Sequence, residues 1–318
     1  MKYARIVLLS IMLLLFASQC DRQHSAAYLP PEGKILTFAH QLSYPGTTNQ
    51  NMPQAFGFAV YASLFQDVSV ELTPGNTVKH LRLLLDATGT QLPLILLRLT
   101  NTQLAGLPDG EFDQDIQQLA ATLKNYGRPV YLAPGFEVNN PMYTLASANY
   151  VKSFRYVVEK MRSLQVNNVS YVWCVIGMKP RWEEPITLEE CYPGDEYVNW
   201  LGLTVHNISP HHYPEDGFFE ASIYDEVAAF ADAHDLPMMI CESSTRSVDK
   251  NFALSGDSLW IDWYEPFFAM IEKYDIRALS HIFYDYKDDV ILNRWREKMN
   301  APTFIHAQEN PAKMLQGK

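Results

Sequence analysis

Val130-Tyr131-Leu132-Ala133-Pro134-Gly135-Phe136-Glu137-Val138-Asn139 is an apolar run of strand length that closes on a single carboxylate. A second run of the same form, Leu236-Pro237-Met238-Met239-Ile240-Cys241-Glu242-Ser243-Ser244, lies far along the chain. Each Glu falls where a buried strand would open into a loop. Carboxylates are seldom buried unless they are paired or used. One such Glu is most often a helix cap or an ion-pair partner, so the pair gains meaning only if both strands belong to one barrel and share its mouth.

The rest of the chain predicts that barrel. Apolar runs of strand length recur at Ile35–His40, Phe56–Ala62, Leu94–Thr100, Val130–Gly135, Ser170–Gly177, Trp200–His206, Met238–Glu242 and Leu279–Tyr286. They are near-continuous rather than alternating, as in parallel strands covered on both faces. Helical spacing lies between most of them. Asn76–Thr88 carries Val78, Leu81, Leu84 and Leu85; Phe112–Tyr126 carries Ile116, Leu119, Ala120 and Leu123, with Gly127 as a stop; Asn149–Leu164 carries Val151, Phe154, Val157, Val158 and Met161. Tyr224–His234 and Leu259–Tyr274 repeat the pattern. Eight strands alternating with helices predict a single (β/α)8 barrel of the TIM type. Gln41–Gln54 is rich in Pro, Gly, Asn and Thr and predicts a loop in place of the first helix, and the polar Lys179–Glu196 segment is expected over the barrel mouth.

The chain has 318 residues, against roughly 250 for such a barrel with its helices. No repeat, linker or low-complexity stretch divides it. Residues 31–318 are expected to form the barrel, residues 21–30 a tether, and residues 1–20 a signal segment. Lys2 and Arg5 begin that segment, Ile6–Phe16 is an apolar stretch too short for a membrane span, and Ala17-Ser18-Gln19-Cys20 follows. Such a cysteine resembles a bacterial lipoprotein box, with lipid on the sulfur of Cys20; Gln19 stands where a small residue is usual, which leaves ordinary signal cleavage as the other reading. The expectation is an exported, periplasmic or cell-surface lipoprotein whose only membrane contact is that anchor. A net charge of -11 argues against nucleic acid and anionic membrane surfaces as partners.

Neither metal nor cofactor is expected. Cys174 and Cys241 read as buried small apolar residues and Cys191 as a loop residue. With Cys20 set aside, the three fit no disulfide framework. His211-His212 with Glu215 and Asp216 reads as a solvated loop, and the strand ends offer no His-x-His ligand set of the kind a metal-dependent barrel hydrolase would use.

Two carboxylic acids facing each other across a pocket are the equipment for cleaving a glycosidic bond. With that chemistry in view, the chain resembles the retaining glycoside hydrolases built on a (β/α)8 barrel, and most of all glycoside hydrolase family 26, which includes β-mannanases. Three stretches between residues 30 and 300 carry the resemblance. Gly135-Phe136-Glu137-Val138-Asn139 falls where the family has an acid/base Glu, usually as His-Glu-x-Asn. Tyr192-Pro193-Gly194-Asp195-Glu196-Tyr197-Val198-Asn199-Trp200-Leu201-Gly202 is similar to the family's Tyr-Pro-Gly-Asp-x-Tyr-Val-Asp-Trp-x-Gly lead into strand six. Leu236 to Glu242 fits the strand that delivers the nucleophile. Phe136 stands where the family has His, His206 replaces an aromatic residue at the end of strand six, and Phe283, Tyr284 and Tyr286 stand where a Trp platform is common.

The resemblance implies Glu242 as nucleophile, Glu137 as acid/base and a β-linked, mannan-like or related glycan as substrate. Around them, Arg98 would hydrogen-bond the nucleophile or a sugar hydroxyl, or ion-pair with a barrel carboxylate. Asn139 would bind substrate or orient Glu137, and His206 would sit beside Glu242 or cap its strand. Phe136 lines the same pocket. Trp173, Trp182, Tyr192 and Tyr284 are candidates for sugar stacking, with the core as the other reading of Trp173, while Trp260, Trp263, Tyr264 and Phe267 repeat at helix spacing and read as packing. The competing class is a catalytically degenerate, carbohydrate-binding surface lipoprotein on the same barrel.

Overall fold

The computed structural model describes residues 28–40, 55–64, 69–73, 76–87, 91–139, 147–176, 186–206, 223–245, 255–282 and 288–306. Cys20, the 41–54 segment, Trp182, Tyr284, and the His211-His212 group with Glu215 and Asp216 lie outside the described residues.

Eight parallel strands close into a barrel: β1 (Ile35–His40), β2 (Gly57–Ser63), β5 (Leu92–Arg98), β6 (Val130–Pro134), β7 (Val169–Ile176), β8 (Trp200–His206), β9 (Met238–Ser244) and β10 (Ala278–His281). Each pairs with the next, and β1 closes the ring by pairing with both β2 and β10. The fold is thus the expected (β/α)8 barrel. Two antiparallel strands, β3 (Ser69–Thr73) and β4 (Asn76–His80), extend the sheet from β2, and a two-residue strand, β11 (Phe304–Ile305), lies beside β1.

Helices surround the ring at Leu81–Ala87, Asn101–Gly106, Asp113–Tyr126, Ser147–Ser163, Ile223–Ala233, Glu265–Lys273 and Asp289–Met299. Their ends follow local chemistry. Thr100 and Gln103 form a reciprocal capping box, Asp288 accepts from the amides of Val290 and Ile291, and Gly127 ends its helix in the left-handed region at φ 66°. Gly127 is the stop that the sequence predicts. Gly256–Leu259 passes through a π-helical turn, Trp260–Tyr264, which buries Trp260, Trp263 and Tyr264 together as packing residues.

The helix expected over Asn76–Thr88 is half wrong. Asn76–His80 is β4, paired with β3, and only Leu81–Ala87 is helical. Val78 mimics a helical register with Leu81 and Leu85, but its backbone partner is Glu71 across the hairpin. Cys191 also departs from expectation: it is fully buried at the end of a short helix, Leu188–Cys191, rather than in a loop.

The core has two layers, as strands buried on both faces require. Leu36, Phe38, Ala59, Leu94, Leu96, Tyr131, Ala133, Val172, Cys174, Trp200, Met239 and Cys241 fill the barrel interior. Ile95, Leu97, Val130, Leu132, Trp173, Val175, Leu201, Leu203 and Ile240 face the helices. Inward and outward residues alternate along the strands, with one exception in β9. Counting along β8 from inward Trp200 puts His206 on the inward side at the mouth, and counting along β5 from Leu94 puts Arg98 there too.

Candidate active site

Both Glu residues reach the same mouth, each by a departure from regular strand geometry. After β6, Gly135 takes φ 74° and Glu137 itself φ 53°. A non-glycine residue in this left-handed region is uncommon and is held there by its surroundings. Gly135 is required twice over: a Cβ there would also stand 2.8 Å from Tyr150 Cε2. Asn139 fixes the loop. Its amide donates to the Ile176 carbonyl at 2.9 Å and accepts from the Ile176 amide at 2.8 Å, fastening the segment that carries Glu137 to the end of β7. Of the two roles expected for Asn139, the geometry supports the orienting one.

Glu242 arrives by a β-bulge. Leu203 pairs with Ile240, but Thr204 pairs with Glu242, so Cys241 is an extra residue in β9. Alternation would turn Glu242 toward the helices. The bulge breaks that parity and leaves Met239, Cys241 and Glu242 inside, while Ser243 turns outward. The outward Ser243 hydroxyl donates to the Ser280 carbonyl at 2.9 Å and meets His281 Nδ1 at 2.9 Å; His281 is buried and stacks on Trp295. Gly202 makes the crowding tolerable, since a Cβ there would run into Cys241 Sγ and Val172.

The two carboxylates converge on one ring. His206 Nε2 lies 3.3 Å from Glu242 Oε1 and 3.7 Å from Glu137 Oε1, while its Nδ1 meets the Ser244 hydroxyl at 2.8 Å. Since both oxygens are that close to one nitrogen, they are no more than about 7 Å apart. Glu137 and Glu242 are both buried. Burial works against charge on His206, but the two carboxylates facing its Nε2, Glu137 and Glu242, raise the imidazole to about 10. Burial likewise opposes charge on Glu242. His206, then the more distant His40, and the Tyr61 hydroxyl outweigh it and hold Glu242 below the ordinary carboxylate value. Glu242 is therefore a carboxylate at neutral pH.

Two site residues escaped sequence reasoning. The Tyr61 hydroxyl, inward on β2, donates to Glu242 Oε2, and His40, at the end of β1, stands 3.9 Å from the same oxygen. Burial lowers His40 to about 4, so it is neutral at pH 7. Tyr61 also stacks on Phe136, with ring centroids 5.4 Å apart. The Arg98 guanidinium lies 5.1 Å over the Tyr61 ring and 6.0 Å from the Phe136 ring. Phe136, Arg98 and His206 thus lie around the pair.

Trp173 and Tyr192 do not: Trp173 takes the core place that was its other reading, and the sugar-stacking place expected of Tyr192 is corrected. Trp173 is fully buried on the outward face of β7, with Tyr192 4.9 Å and Phe230 5.3 Å away by ring centroids. Tyr192 packs on the same cluster and donates to Asp195. Residues 186–199 run along this outer flank, where Arg155 donates to the Pro193 carbonyl and Tyr197 to Glu159, so the described part of the segment expected over the mouth lies beside the barrel instead.

Comparison with known proteins follows the same lines. The family model described as glycosyl hydrolase family 26 matches residues 73–242, a span that contains Glu137 and ends on Glu242. The β-1,3-xylanase TXYA of Vibrio sp is 28% identical over 248 residues, covering 66% of this chain and 52% of that protein. A β-1,3-xylanase of Alcaligenes sp is 27% identical over 253 residues, covering 67% and 52%. The chain thus spans about half the length of these curated relatives. Among solved structures, a GH26 β-mannanase from Bacteroides ovatus superposes with a TM-score of 0.64 at 17% identity, covering 93% of this chain and 95% of that one. The catalytic domain of a GH26 endo-β-1,4-mannanase from Bacillus sp. JAMB-750 gives 0.61 at 15% identity, covering 89% and 90%.

Proposed function

Because the chain belongs to glycosyl hydrolase family 26, we propose that it is a retaining glycosidase that cleaves a β-linked polysaccharide, with Glu242 as nucleophile and Glu137 as acid/base. The observation that carries this reading is the convergence of two buried carboxylates on His206 Nε2, at 3.3 and 3.7 Å. Their separation, bounded at about 7 Å, accommodates the roughly 5–5.5 Å of a double displacement. Glu242, held ionised, attacks the anomeric carbon while Glu137 protonates the leaving oxygen. Glu137 then removes a proton from the water that frees the sugar. Phe136 on Tyr61 presents an aromatic surface beside the reacting centre, and the Arg98 guanidinium offers donors to sugar hydroxyls.

For the substrate we favour a β-1,3-xylan. The relatives that are 28% and 27% identical to this chain over the aligned residues are named β-1,3-xylanases, whereas the mannanases match at 17% or less and inform the fold. A β-1,4-mannan is the second reading, through those neighbours. Reducing ends released from β-1,3-xylan, β-1,4-xylan and β-1,4-mannan would test both, with the anomer of the first product read by NMR. Release from β-1,3-xylan with retained β-configuration is expected. A first product of inverted configuration would sink the mechanism, and binding without release from any glycan would return the protein to the class of carbohydrate binders.

Tyr61 offers a finer test. Tyr61→Phe removes a donor to Glu242 and should cost about 10- to 100-fold in kcat/KM with the fold intact. The sign of the pH effect follows: Tyr61 helps lower the Glu242 carboxyl, so its loss lets that carboxyl rise, and the acid limb of kcat/KM should move to higher pH. An acid limb that stays in place would show that the hydroxyl does not act on Glu242.

A further inference from the structure

We infer that His206 is the resting place of the acid/base proton: in the free enzyme the proton that Glu137 will deliver sits on His206 Nε2, between the two carboxylates. This rests on the glycosidase reading. The inference comes from geometry. One ring nitrogen faces both carboxylates, and the other is held by Ser244, so the ring is oriented with a single nitrogen toward the chemistry.

Proton counting makes the role specific. The first step of a double displacement needs a carboxylate at Glu242 and a carboxylic acid at Glu137. Two carboxylates with an imidazolium contain the same number of protons as one carboxylate, one acid and a neutral imidazole. One transfer interconverts them. The Nε2–H bond breaks, its electron pair stays on nitrogen, and an O–H bond forms on Glu137. Nε2 stands 3.7 Å from Glu137 Oε1, so a shift of roughly 1 Å gives a hydrogen-bonded line for the transfer. Glu137 then spends the proton on the leaving oxygen and recovers one from water in the second step, after which His206 can take it back. No net proton is lost in the cycle.

Among the described residues, the groups that face this trio from the other strands do not compete for the proton. On β1, His40 is neutral, lowered to about 4 by burial. On β10, buried His281 is lowered to about 3 and turns outward to Ser243. On β2, burial and Glu242 push the Tyr61 hydroxyl well up, and on β9 the buried Cys241 stays a thiol. On β7, Cys174 Sγ meets Thr204 of β8 at 3.7 Å. On β5, the Arg98 guanidinium lies over Tyr61 and Phe136 as a fixed cation. The imidazole raised to about 10 by its two carboxylates is therefore the group that holds the proton at neutral pH.

Two measurements test this together. The first is the 15N NMR spectrum of histidine-labelled protein, with the His206 signal assigned by its loss in His206→Gln. Imidazolium shifts are expected for His206 at pH 7. In Glu137→Gln, which keeps the shape but removes one charge, His206 should titrate at least about one pH unit lower. A neutral His206 at pH 7 overturns the proposal. The second is the pH profile of kcat/KM on the hydrolysed glycan. In His206→Gln the proton has no home but Glu137, so the basic limb should fall by about two pH units or more; because His206 is also the first of the groups that hold the Glu242 carboxyl down, the acid limb should rise and the profile should narrow from both sides. A uniform loss at every pH, with the basic limb unmoved, would make His206 a spacer and overturn the proposal while leaving the glycosidase reading intact. A parent that cleaves no glycan overturns both.

Discussion

Glu242→Ala should lower the rate on the natural glycan by several orders of magnitude, about 10⁴-fold or more, while the barrel stays folded. Glu137→Ala should do the same, since each variant removes a partner in bond making or breaking. The two differ in kind. Without Glu242 no glycosyl-enzyme forms, so an activated aryl glycoside gives no burst of released phenol. Without Glu137 the same substrate, whose leaving group needs no proton, still glycosylates the enzyme and then stalls, and azide releases the sugar. Rapid-mix measurement of the burst decides the assignment. Equal bursts in both variants, or azide rescue of Glu242→Ala with the same anomer, would reverse or remove the roles given to the pair.

Trp173→Ala should act on stability and leave sugar binding alone. The indole is fully buried between β7 and the outer flank, against Tyr192 and Phe230. Truncating a side chain of this size in a core costs about 3–5 kcal/mol. Urea unfolding should show that loss, while the remaining folded protein keeps its KM for the glycan. A raised KM at unchanged stability would put Trp173 back among the sugar-stacking residues.

Trp173 also shows where sequence reading stopped. The eight strands and their helical intervals were legible because each apolar run has strand length and each helix has a 3.6-residue stripe. Arg98, Glu137, His206 and Glu242 were legible because a polar or charged group closing an apolar run is conspicuous, and Phe136 because it stands where the family that the chain resembles has His. A strand buried on both faces, however, has no polar alternation to tell inside from outside. Trp173 therefore stands open between the mouth and the core in the sequence, and only the structure shows that its neighbour Cys174 is the inward residue. The same blindness hid Tyr61 and His40. Both sit within apolar runs that read as core, and only the closure of β2 and β1 against β9 puts their polar ends on Glu242. The hairpin at Asn76–His80 was lost for another reason: five residues are too few to separate a period of 2 from one of 3.6.

The extra residue in β9 has a consequence for descent. Side-chain direction at position 242 is decided by the pairing of the strand, in which Cys241 is left out of register, not by the identity of the Glu. Removing Cys241 would set Ile240 and Glu242 side by side opposite Leu203 and Thr204, and plain alternation would still turn the acid inward; keeping Cys241 but pairing it in regular register would instead exchange Glu242 with Ser243, turning the acid toward the His281–Trp295 stack and a hydroxyl toward the cleft. An aligned glutamate in a distant cousin therefore reaches the cleft by one of two routes, a strand one residue shorter or a strand of this length with the surplus bulged inward, and in the second case Gly202, the residue that leaves room for the surplus, is the companion by which an intact copy can be told from a silenced one.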